Sequence, residues 1–141
     1  MALTAIVSVL VVILAHDIYG REWDLASVEG RWNEAGILTY SMELQVCPSY
    51  MCEHWKVAVD GGRVEAEAIA AEPWSQPPTV DVLLAAARSF LREYDGLLPW
   101  RRVTVEIEVN GDGVPVSAFL DGPGIEEEYS WHIDVFETRA P

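Results

Sequence analysis

Three histidines, two cysteines and 23 acidic side chains are the groups in this 141-residue chain from which chemistry could be built. Glu106 and Glu108 stand two apart, so a strand would place both carboxylates on one face, as a glycosidase-like pair. Such work also requires a cleft that raises one of the two pKa values, and an open strand face supplies none. Asn110-Gly111-Asp112-Gly113 resembles the start of a calcium loop, but the length and bidentate Glu of an EF-hand are missing. Asp121 with Glu126, Glu127 and Glu128 could hold a hard cation loosely, although a solvated loop accounts for the same residues. His132, near Asp134 and Glu128, and His54, before Trp55, read as solvated histidines. Cleavage after Ala15 would expose His16 as a first residue whose amine and ring could bind copper, with His54 or His132 as a further ligand. There is no glycine-rich phosphate loop, no nucleophile elbow and no histidine pair at metal-ligand spacing. The sequence therefore assigns no catalytic residue, no metal ligand and no cofactor.

The cysteines point to a compartment rather than to a reaction. Cys47 and Cys52 flank Pro48-Ser49-Tyr50-Met51 between two strand-like runs, where a hairpin would bring its stems within disulfide reach. Two thiols are too few for a zinc site, and the spacing is not that of a redox motif, so a structural disulfide is expected. Ala2 to Ala15 carries no charge, and its 14 residues match the apolar part of an export signal better than a full membrane span of about 20 residues. No Lys or Arg precedes the run and no Cys follows it. Residues 1–20 are accordingly expected to be a hydrophobic leader, either signal peptide or anchor, with 21–141 as one domain. The alternative is a buried strand of the fold. Leader and paired cysteines agree on an extracytoplasmic location, secreted or envelope-associated.

A net charge of −14 repels phosphate backbones and anionic headgroups, and no basic cluster exceeds Arg101-Arg102. This excludes nucleic acid as a partner and leaves membrane contact only to the N-terminal segment, if it is uncleaved. Half the residues are hydrophobic, enough to fill one core at this length.

Periodicity supplies the elements that would position these groups. Leu25, Val28, Trp32 and Ala35 predict a short helix over 24–35. Leu38, Tyr40, Met42, Leu44 and Val46 alternate with polar residues, as one face of a half-buried strand. Trp55, Val57 and Val59 repeat the pattern, and Asp60-Gly61-Gly62 turns the chain into a weaker strand over 63–69. The prolines of 72–78 mark a loop. Thr79 then opens the clearest helix, in which Val80, Leu83, Leu84, Ala87, Phe90, Leu91 and Tyr94 form one apolar stripe ending at Asp95-Gly96. Three further strands are expected over 103–109, 114–120 and 129–135, the last with Tyr129, Trp131, Ile133 and Val135 inward; Pro115 marks an edge or a strand start. The fold class is α+β: an antiparallel sheet of about six strands in the order α-β-β-β-α-β-β-β, with the main helix packed on one face. The other face would carry Glu43, Glu65, Glu67, Glu106, Glu108 and Asp134 into water.

From Trp32 to Phe136 the chain resembles a family of small bacterial proteins known only as a domain of unknown function, secreted or lipid-anchored. The resemblance rests on Trp32 followed by Tyr40 and the cysteine pair, on residues 57–64, 79–84 and 105–122, and on Glu126 to Glu128 before Tyr129. It differs in the wider spacing of Cys47 and Cys52 and in having no cysteine for lipid attachment. The resemblance implies the fold and export but no activity. The functional expectation is a non-enzymatic extracytoplasmic module that contacts another protein or stays near the envelope, with loop residues Trp74 and Trp100 as candidate contacts. The alternatives are a small-ligand or cation-binding module using the acidic loops, and an enzyme of unrecognised type.

Overall fold

The computed structural model describes residues 2–69, 76–96, 101–124 and 126–139, with the backbone alone at 16–18. The elements follow the expected order: α1 (Ala2–Ala35), β1 (Thr39–Pro48), β2 (Glu53–Asp60), β3 (Arg63–Ala68), α2 (Val80–Tyr94), β4 (Thr104–Val109), β5 (Pro115–Asp121) and β6 (Glu128–Thr138). The strands form one antiparallel sheet in the order β3-β2-β1-β6-β5-β4. β1 and β6 lie at its centre, so strands far apart in sequence make the middle of the fold.

Alternation builds the sheet. Tyr40, Met42, Leu44 and Val46 of β1, Trp55 and Val57 of β2, and Trp131 and Ile133 of β6 are buried on one face. Against them lies the stripe of α2, with Val80, Leu83, Leu84, Ala87, Phe90 and Leu91 buried. Thr79 caps this helix by accepting the Val82 N–H at 3.2 Å, and the Tyr40 hydroxyl accepts the Val80 N–H at 3.1 Å. Burial, chiefly, raises the Tyr40 pKa above its ordinary value, with the Asp81 carboxylate adding to the effect.

The helix expected over 24–35 is the second part of α1, which also takes in the apolar segment. Leu25, Val28 and Trp32 enter the core. The Trp32 indole donates to Asp81 at 3.0 Å and stands edge-on to Tyr40. Gly113, at φ +85°, lets the β4–β5 turn approach α1 closely; a Cβ there would meet the Arg31 carbonyl oxygen at 2.9 Å. The two parts of α1, Ala2–Ala15 and Tyr19–Ala35, meet at 66°. Among the described residues no single helix is long and apolar enough to cross a membrane, whereas this bent pair passes that test jointly.

Leu38 and Val135, expected inside, face water. Leu38 precedes β1 and is 71% exposed, because strand pairing begins only at Thr39. Val135 is 44% exposed because of a bulge: Glu43 pairs with Val135 but Leu44 pairs with Ile133, leaving Asp134 unpaired. Beyond the bulge the alternation inverts, and Phe136 turns inward to stack on Tyr40 at 5.1 Å. Pro115 marks a strand start, since β5 is flanked on both sides.

Candidate functional site

The sheet face opposite the helices is open, and the register decides which side chains meet on it. One cross-strand row reads Val135, Glu43, Lys56, Glu67; the next reads Glu137, Ser41, Ala58, Glu65. Ser41 and Ala58 are short, so the second row is low in the middle and raised by glutamates at both ends. The result is a hollow of about 410 Å³ lined by Glu43, Glu65, Glu67 and Glu137 around Ala58 and Val135. Lys56 is its one cation and bonds Glu43 at 3.3 Å. Arg63, at the rim, reaches Glu65 at 3.2 Å. Four carboxylates against Lys56 and the rim Arg63 still leave the hollow with an excess of negative charge, while its floor is apolar or small.

A neighbouring row on the same face reads His54, Gln45, His132, Ser117. Two strand spacings, about 10 Å, separate the histidines. His132 lies 3.4 Å from Asp134. Both imidazoles are exposed. The side chain of His16 lies outside the described residues, so the copper-binding arrangement has no described geometry. Glu106 and Glu108 are exposed on β4 as expected, but both line a second hollow, of about 740 Å³, together with Asp24, Ser27 and Arg31 of α1, where an open strand face was expected.

Both acidic turns are bonded internally. Asn110 Oδ1 accepts the N–H groups of Asp112 and Val114, each at 3.0 Å, which tightens the β4–β5 turn. Glu127 Oε2 accepts the Gly124 N–H at 2.7 Å. Among the described residues no three or more of His, Cys, Asp and Glu converge as metal ligands.

At one end of the sheet Cys47 and Cys52 form the expected disulfide, which fits an oxidising compartment. It closes the β1–β2 hairpin, whose tip is further held by Ser49: its N–H donates to the Glu128 carbonyl at 2.8 Å and its hydroxyl to the Glu126 carbonyl at 3.0 Å. Beneath the tip, Glu53 is only 8% exposed and accepts the Trp55 indole N–H at 3.0 Å. Burial and, after it, the Glu53 charge push the Tyr129 hydroxyl up to about 12. Sequence reading missed Glu53; its place at an inward position, in register with Val46, was the available signal. Trp74 and Trp100, the candidate contacts, lie outside the described residues.

No protein-family model matches the chain, and neither a curated protein nor a solved structure matches it. The class of protein is thus defined by the fold alone, an α+β domain with a six-stranded antiparallel sheet.

Proposed function

We propose that the protein is a non-enzymatic extracytoplasmic module, associated with the envelope through its apolar N-terminal helix, that binds a basic segment of another protein on its open sheet face. The observation that carries the reading is the hollow of about 410 Å³ in which Glu43, Glu65, Glu67 and Glu137 surround a low apolar floor. A lysine or arginine side chain fits such a place twice over: its aliphatic stem covers Ala58 and Val135, and its head meets carboxylates at the rim. Strand β3 borders the hollow and is an edge of the sheet, so an extended partner has backbone groups within reach as well. The disulfide supports the location, and the uncharged stretch Ala2–Ala15 supports export and retention at the envelope.

The test uses the full chain and a synthetic extended peptide alternating Lys and Val, measured by calorimetry at two salt concentrations. Binding that weakens with salt, and that falls at least about 10-fold in the Glu43→Lys, Glu65→Lys, Glu67→Lys variant, is expected. Equal affinity of wild type and variant refutes the site.

A further inference from the structure

We infer that the end of the domain from which the apolar helix emerges is a lipid-contacting surface, with the disulfide-closed tip Tyr50-Met51 resting in the bilayer interface. The inference rests on the envelope association proposed above and goes beyond it by assigning the face that meets the lipid.

The apolar part of α1 fits lipid better than a protein groove. Ala2 to Ala15 has no charge, and its residues are exposed around nearly the whole circumference. A helix made for a groove is apolar on one stripe only. At 1.5 Å per residue the segment reaches about 21 Å, most of a hydrocarbon core about 30 Å thick. Tyr19 and Trp23 follow, half exposed and with ring centroids 6.1 Å apart. Tyrosine and tryptophan favour the headgroup level, so this pair marks where the helix leaves the lipid.

What comes next is tied rigidly to one end of the sheet. Arg21 Nε donates to Asp95 Oδ1 at 3.0 Å, and the same oxygen accepts the Val103 N–H at 2.9 Å. One carboxylate therefore joins the start of the second part of α1, the end of α2 and the approach to β4. The register places the start of β4 beside the end of β5 and the start of β6, and the start of β6 beside the end of β1. The hairpin tip between β1 and β2 is thus at the end where α1 enters. The tip is 61% exposed at Tyr50 and 60% at Met51, with the disulfide and the Ser49 bonds holding it in place. Ile69, just past β3, is exposed at this end too. An aromatic and a thioether side chain on a closed, rigid turn enter an interface with little ordering cost. The contact is with apolar and zwitterionic lipid rather than with anionic headgroups, because the chain carries −14 and Glu126, Glu127 and Asp121 lie at this end.

The experiment is hydrogen exchange read by mass spectrometry on the full chain, in phosphatidylcholine vesicles and in detergent, with vesicle flotation as a separate readout. Flotation reports the envelope association; exchange reports the face. Expected is flotation together with at least about 5-fold slower exchange over 49–52 in vesicles, and no change at the opposite hairpins, 60–63 and 110–113. The Tyr50→Asp, Met51→Asp variant should still float but lose that protection, and vesicles containing phosphatidylglycerol should weaken it. Flotation with equal exchange at both ends overturns the docking face while leaving the association standing. Failure to float, or self-association of Ala2–Ala15 in place of lipid binding, overturns both.

Discussion

Replacing Cys47 and Cys52 by serine removes the cross-link from a hairpin whose strands, β1 and β2, already pair along eight positions. In the folded protein the stems stay together through those pairs, so the loss falls mainly on the unfolded chain, which regains the freedom of an open loop. The cysteines are five positions apart. Loop-closure entropy for about six residues comes to about 2 kcal/mol at 25 °C. With an unfolding entropy near 2.1 cal/mol/K per residue over about 120 folded residues, that corresponds to a fall in Tm of about 8 °C. The assay is thermal unfolding by circular dichroism of oxidised wild type and the Cys47→Ser, Cys52→Ser variant in the same detergent, with wild type under reductant as the chemical equivalent. Both should lose the same amount. A shift below about 2 °C refutes the reasoning and means that the unfolded chain holds this turn closed without the sulfurs.

Other perturbations probe the packing. With Tyr129 near 12 in the folded state and near 10 when unfolded, its neutral form contributes stability that is complete below pH 10 and lost as pH rises towards 12; Tyr129→Phe should flatten that alkaline decline in urea titrations. Leu44→Ala, at a fully buried position in a central strand, should cost about 3 kcal/mol by denaturant unfolding. Phe90→Asp sets an unpaired charge on the buried face of α2 and should leave no cooperative thermal transition; native-like melting would contradict the assigned packing. Gly113→Ala, at positive φ and against the Arg31 carbonyl, should destabilise by about 2 kcal/mol and raise exchange in 24–35 before the rest of the domain.

Period-two alternation made the strands and the sheet's two faces legible, and the seven-residue stripe with Thr79 ahead of it made α2 legible nearly to the residue. What alternation cannot carry is an inserted residue. Tyr129, Trp131, Ile133 and Val135 read as one face, yet the bulge at Asp134 gives the inward place to Phe136, and only pairing with β1 reveals it. The same limit hid the hollow. Its walls come from β1, β2, β3 and β6, and no local signal states that β6 returns to lie beside β1. The disulfide was legible because both cysteines sit in one hairpin. The seat of the second part of α1 was not legible, because Arg21 meets Asp95 and Arg31 meets the Gly113 turn only once distant segments are folded together.

Placing β1 beside β6 has a consequence for how the chain matures. β1, β2 and β3 form half a sheet whose inner margin stays bare until the last strand in chain order arrives, some ninety residues after its neighbour. A nascent or translocating chain therefore remains pliable through most of its synthesis and closes in a late, long-range step. Premature termination between Asp121 and Glu128 would leave one chain carrying two half-sheets, β3-β2-β1 and β5-β4, each with a bare edge, instead of a smaller version of the domain.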